Sequence, residues 1–303
     1  MLRPVLIFLL LLFSAFLSSA QTYPQQYKSL VESKDTIAQE ALLGKWRSEK
    51  PDDAELYVSD YNFFVQKSRK EIVIMGGNPP DGAVALEIMN EDTNIKEPAG
   101  YMYSDISYDS LLLDKGFAYI DTGISKFPNR LDMRYGKIYM LGEVKDWKTF
   151  MAEIIKTINY SHVNNNKWTW SNNEPVKGGG KKYMLSSLQD YVVQLYNTGD
   201  DEQLDQIKAI AEATLNYYPD HVESLSNLAA TYMYIHDNDK ALVYLLRAEK
   251  SAPKDFVVLG NIAHCYEVKK DKLNSIKYYK LLEKYGDTDS KETAKKKLGT
   301  LSK

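Results

Sequence analysis

Two consecutive stretches decide the fold: VESLSNLAATYMYIHDNDKALVYLLRAEKSAPKD, residues 222–255, and FVVLGNIAHCYEVKKDKLNSIKYYKLLEKYGDTD, residues 256–289. Superposed, Leu225, Leu228, Ala229 and Tyr232 fall on Leu259, Ile262, Ala263 and Tyr266, and Ala241, Leu245 and Ala248 fall on Ser275, Tyr279 and Leu282. Spacings of three and four put each set on one face of a helix, so each stretch reads as a helical hairpin. Small Ala229 and Ala263 sit where the two helices must approach closely, and the neighbouring tyrosines fill the wider space. Pro253 ends the first unit because it has no backbone N–H with which to continue the helix.

One period upstream, residues 188–221 fit more loosely, with Tyr191 and Leu195 on the first helix, a turn at 197–200, and Leu204, Ile207, Ala211 and Leu215 on the second. Pro219 takes the place of Pro253. Downstream, residues 291–301 read as a capping helix with Ala294 and Leu298 inward. A 34-residue period over three units resembles the tetratricopeptide-repeat family. Its departures from that pattern are Ser275 for a small alanine, Asp287 for the closing proline, and no tryptophan at the signature site. The resemblance implies an all-α hairpin solenoid that acts as a scaffold or peptide receptor.

The N-terminal half is less regular. Residues 36–49, 54–67 and 110–127 are helical in pattern, and 131–140 with 147–160 form a further hairpin in which Gly136 stands where close contact needs a missing side chain. Within residues 71–100 the stiff runs Glu71 to Met75 and Ala83 to Ile88 flank a Gly-Asn-Pro-rich turn, which predicts a small strand insertion between the helices of one hairpin. The expected organisation is a signal peptide at 1–20, a flexible mature start at 21–35, and a helical-repeat region at 36–160. A connecting loop at 161–182, rich in asparagine and glycine, then leads to repeats and cap at 183–303.

The leader reading rests on Arg3, the apolar run Val5 to Leu17 and the small residues Ser18 and Ala20 before Gln21. That run is shorter than the about 20 residues that span a bilayer, and no second one follows, so no integral membrane segment is expected after cleavage. The protein is thus expected to be exported, periplasmic or secreted. The 303-residue chain carries a formal charge of -3, and loss of Arg3 makes it -4, with no long basic block of the kind nucleic acid requires. Cys265 is the single cysteine and His162, His221, His236 and His264 are scattered, which leaves no zinc ligand set and no nucleophile–base pair. Gly178, Gly179 and Gly180 before Lys181 and Lys182 lack the spacing of a nucleotide loop and read as a hinge. No cofactor is expected, and a hydrolase is the weaker alternative to a binding protein.

Two places could meet a protein or peptide. In a solenoid the first helix of each unit lines the concave face, which predicts a groove carrying Tyr196, Asn227, Ala230, Tyr234, Asn261 and His264. Family members that grip a C-terminal carboxylate pair asparagines on this face with basic residues. Asn227 and Asn261 match the repeated asparagine position. Val192 and Tyr196, however, replace lysine and the second asparagine, and Val257 and Asn261 replace lysine and arginine, so a carboxylate clamp is not expected. The second place is Trp168 and Trp170, which alternate along the loop so that an extended backbone sends both rings to one face. Exposed, they would anchor a protein or a sugar; folded back, they would plug the junction between the halves. A fixed structural part of an envelope complex is the other nonenzymatic reading.

Overall fold

The computed structural model describes residues 21–80, 82–91 and 95–301; the expected leader lies outside them. Thirteen helices among these residues pair into six hairpins and an end cap. The first hairpin is α1 (Tyr23–Glu32) with α2 (Thr36–Glu49), and the second is α3 (Ala54–Ser68) with α4 (Ser110–Lys126). The third and fourth are α5 (Leu131–Glu143) with α6 (Trp147–Val163), and α7 (Gly180–Tyr196) with α8 (Gln203–Tyr217). The last two are α9 (Val222–Tyr234) with α10 (Asn238–Ser251), and α11 (Phe256–Val268) with α12 (Lys272–Tyr285), closed by α13 (Thr288–Leu301). This is the all-α, tetratricopeptide-like solenoid that the period implies. None of the described helices is long and apolar enough to cross a membrane.

Two turns recur and set the geometry. Within a hairpin, Lys34, Lys145, His236 and Lys270 each take a left-handed backbone, with φ between 58° and 61°, and the next residue is an aspartate. Asp35, Asp146, Asp237 and Asp271 then cap the second helix, accepting from the N–H three residues on at 2.9 to 3.2 Å. Between hairpins, Lys50, Phe127, Tyr218 and Ala252 end their helices in a non-helical conformation, because the proline that follows each disfavours helical geometry in the residue before it. The last unit has no such proline. There Asp287 instead accepts from the Ser290 N–H at 2.9 Å and starts α13.

Ala229 and Ala263 are fully buried, as are Ala241, Ala248 and Ser275. Ser275 Oγ donates to the Ala263 carbonyl at 3.2 Å, so the serine that departs from the family pattern is satisfied inside the hairpin. Tyr232 stacks on Tyr244 at 5.7 Å, and one period later Tyr266 stacks on Tyr278 at 5.8 Å.

Several expectations need correction. Residues 21–35 are not a flexible start, since α1 buries Tyr27 beside Leu43, Trp46 and Phe63. The insertion between α3 and α4 holds three strands, β1 (Arg69–Gly76), β2 (Ala85–Ile88) and β3 (Gly100–Tyr108), in the order β1-β3-β2. It therefore runs past Gly100, and the two runs read as partners both pair with β3. The close glycine contact is at Gly123 rather than Gly136: a Cβ on Gly123 would lie 2.8 Å from Tyr57 Cβ. The end cap begins at Thr288, three residues before the expected start. Finally, residues 161–182 do not separate two halves, because one core cluster combines Leu131 and Ile154 with Trp168, Leu188 and Ile207.

Two measurements check these points. Replacing Ala229 or Ala263 with leucine should destabilise by about 1 to 3 kcal/mol in chemical unfolding, and Lys272→Ala by less than about 0.5 kcal/mol. Equal losses would place the hairpin contact elsewhere. His221 caps α9 through Nδ1, which accepts from the Ser224 N–H at 3.3 Å. Burial opposes its protonation more than the nearby Glu223 carboxylate favours it, so its pKa lies below the ordinary value. A lowered histidine pKa gives stability that is whole above about pH 6.5 and is lost as pH falls. The midpoint of thermal unfolding should therefore drop more between pH 7.5 and 5.5 for the parent protein than for His221→Asp, which keeps the cap.

Candidate functional site

The fourth hairpin fixes where the sequence-predicted groove residues lie. Its turn, Asn197 to Glu202, is three residues longer than the turns after α9 and α11. The first helix of this unit is therefore displaced from the simple period: buried Leu188 and Val192 match Leu225 and Ala229 at a spacing of 37. Val193, not Tyr196, stands where Ala230 and His264 stand in the next two units. Tyr196 instead sits at the end of α7, where its hydroxyl reaches the Asn227 carbonyl at 3.5 Å. Desolvation there pushes its pKa up to about 12.

Asn227 is engaged within the solenoid. It is 9% exposed, and its Nδ2 donates to Gln189 Oε1 on α7 at 2.9 Å, joining two successive first helices. Asn261 is half-buried and His264 is exposed, both on α11. Tyr196, Ala230 and Tyr234 do come together, around a cavity of about 200 Å³ that also involves Gly199, Asp200, Asp201 and Leu204. A hydrogen bond to Asp201 raises the Tyr234 pKa. The groove is thus acidic at this point, because the longer turn carries two aspartates into it.

The two tryptophans part company. Trp168 is buried against Tyr160 at 5.7 Å and under the Arg134 guanidinium, and its indole N–H finds no acceptor among the described residues. It plugs the junction and cannot serve as an exposed anchor. Trp170 remains half-exposed, with Tyr183 at 5.5 Å and 74° and Tyr135 at 6.4 Å. A cleft of about 390 Å³ opens beside it, lined by Trp170, Ser171, Asn172, Glu174, Pro175, Val176, Lys177 and Tyr183. Its lining mixes aromatic and apolar residues with polar ones, and its volume is in the size range of pockets that hold small ligands or single side chains.

This cleft is held rigid from below. Thr169 bonds through its N–H to the Asn129 carbonyl at 2.8 Å and through its carbonyl to the Leu131 N–H at 2.9 Å. Trp170 and Val176 close a small loop by bonding to the Glu174 and Trp168 carbonyls. Beneath it Arg130, 1% exposed, meets Asp132 at 2.7 Å and Glu55 at 2.8 Å, and Glu55 also accepts from the Asn172 N–H at 2.7 Å. The glycines read as a hinge instead start α7: Gly178 and Gly179 have φ of 81° and 95°, and a Cβ on Gly180 would lie 2.5 Å from the Asn166 carbonyl oxygen. Tyr183 and the role of Glu174 were missed from sequence. Only the aromatic pair Trp168 and Trp170 signalled this place.

No protein-family model matches the chain, and no curated protein matches it. Solved structures do align with it at low identity. The type IV pilus biogenesis factor PilW aligns over 89% of this chain and 96% of its own at 10% identity and a TM-score of 0.38. PilF of Pseudomonas aeruginosa aligns over 90% and 96% at 9% identity and 0.39. YrrB, described as a TPR protein with an unusual peptide-binding site, aligns over 82% and 90% at 14% identity and 0.34. The chain's own hairpins and turns, rather than these alignments, make it a tetratricopeptide-like solenoid.

Proposed function

We infer that the chain is an exported interaction scaffold that binds a segment of another protein, with the cleft between Trp170 and Tyr183 taking an apolar or aromatic side chain of that partner. The observation that carries this reading is the cleft's construction: Trp170 and the 40%-exposed Tyr183 stand at a steep angle on a floor locked by the Arg130 network. Rings held in place before binding lose little freedom on contact, so their burial is retained as affinity. The lining offers Ser171 and Glu174 but neither histidine nor cysteine, which favours binding over hydrolysis. The leader-like start of the sequence supports export.

Peptides selected from a displayed library on the intact protein, measured by isothermal titration, test the reading. Trp170→Ala and Tyr183→Ala should each weaken binding about tenfold or more at a temperature where the variant remains fully folded, as expected of aromatic anchors, although loss of the packing on Tyr135 should also lower the unfolding midpoint. Unchanged affinity would remove the cleft as the anchor. Glu174 and Lys177 oppose each other in charge, so affinity should fall only modestly with salt. Asn227→Ala should lower stability rather than affinity, because it breaks the bond to Gln189; a loss of affinity at unchanged stability would return this asparagine to the ligand face.

A further inference from the structure

The turn that closes the fourth hairpin differs from its siblings in charge as well as in length. Where Lys34, Lys145, His236 and Lys270 take the left-handed backbone before an aspartate, this turn has Gly199, with φ of 66°, and then Asp200, Asp201 and Glu202. The lysine or histidine is thus missing, and three consecutive acids follow. Acids at several other turns and helix starts meet a lysine of the same chain: Asp52 pairs with Lys126, Asp237 with Lys240 and Asp239 with Lys269. Among the described residues no lysine or arginine pairs with Asp200, Asp201 or Glu202.

Asp200 and Asp201 themselves line the cavity of about 200 Å³, together with the rings of Tyr196 and Tyr234, which are 36% and 52% exposed. The polar side chains of this lining have their protons engaged and offer acceptors. The Tyr196 hydroxyl donates to the Asn227 carbonyl and that of Tyr234 to Asp201. Asp200 accepts from Gln203 Nε2 at 2.9 Å and from the Glu202 N–H at 3.0 Å, and these bonds hold its carboxyl below the usual carboxylate range. Behind Asp200, Gln203 is 4% exposed and its Oε1 has no donor among the described residues. A carboxylate can accept about four hydrogen bonds, so both aspartates keep capacity for a donor.

The complement of such a lining is cationic, rich in N–H donors and flat. Ring faces attract a cation through their quadrupole, and a guanidinium can lie along a ring while its N–H fork meets carboxylates. Val193, one turn before Tyr196, is 43% exposed, and Ile235, next to Tyr234, is 64% exposed. Residues flanking the cation in a peptide chain can cover this apolar surface, which a polyamine or a metal ion cannot use. We propose that the cavity takes an arginine side chain from an extended segment of another protein, with Asp200 and Asp201 on the guanidinium and the Tyr196 and Tyr234 rings beside it. The inference goes beyond the cleft reading and shares no residue with it.

The test is a nuclear magnetic resonance titration of the intact protein with a short capped peptide, alanine–valine–arginine–valine–alanine. It should shift the Gly199, Asp201 and Tyr234 amides to saturation, with an affinity that falls several-fold as salt is raised. The same peptide with citrulline, which keeps the shape of arginine without its charge, should bind at least about tenfold more weakly. Asp200→Asn combined with Asp201→Asn keeps a side-chain acceptor at both positions, so it should cut affinity about tenfold or more while the unfolding midpoint holds. Tyr234→Ala should cut it several-fold, and Trp170→Ala should leave it unchanged. Equal binding of the citrulline peptide, or full affinity in the folded double variant, would overturn the proposal. So would spermidine or calcium ions that shift the same amides at concentrations as low as the peptide does. If the double variant disturbs the fold, the citrulline comparison alone decides.

Discussion

The fold depends on two alternating turns whose geometry the sequence repeats. A left-handed residue followed by a capping aspartate reverses the chain inside a hairpin. A residue held out of helical geometry by its following proline reverses it between hairpins. Each of these turns closes with backbone hydrogen bonds of its own. Small residues at the crossing points then let the helices pack, and a core continues from one unit to the next.

Against this regular background stand two irregular parts, the segment after α6 and the inserted sheet. The segment after α6 would be a loose connector by composition, yet a buried cation ties it down. Arg130 costs desolvation free energy when buried, and that cost is offset only because Asp132 and Glu55 both reach it. Glu55 spends its remaining acceptor capacity on the Asn172 backbone. The electrostatics of α3 and α5 thus set the shape of a cleft formed by residues 170–183, and that cleft inherits the rigidity of the helices.

The sheet follows a different logic. It leaves the solenoid between the helices of one hairpin, at a point where α3 and α4 already lie against each other through Gly116 and Gly123. Insertion there adds length without moving the helices, so the repeat tolerates it.

Sequence by itself determined the period, the hairpin register from Val222 onward, the role of Ala229 and Ala263, and the presence of strands between α3 and α4. Those features are written in local spacing, where a proline, a small residue or a β-branched run acts on its immediate neighbours. Tertiary structure alone decided which face each residue shows. Trp168 and Trp170 are two residues apart and read alike, yet Arg134 and Tyr160 bury one while Tyr183 leaves the other at a cleft. Asn227 and Asn261 occupy the same repeat position, but Gln189 engages only the first. A three-residue lengthening of one turn moved Tyr196 out of the predicted row, and β3 went unread because its pairing partners lie far from it in the chain. Such outcomes depend on side chains tens of residues away, and a spacing rule carries no term for them.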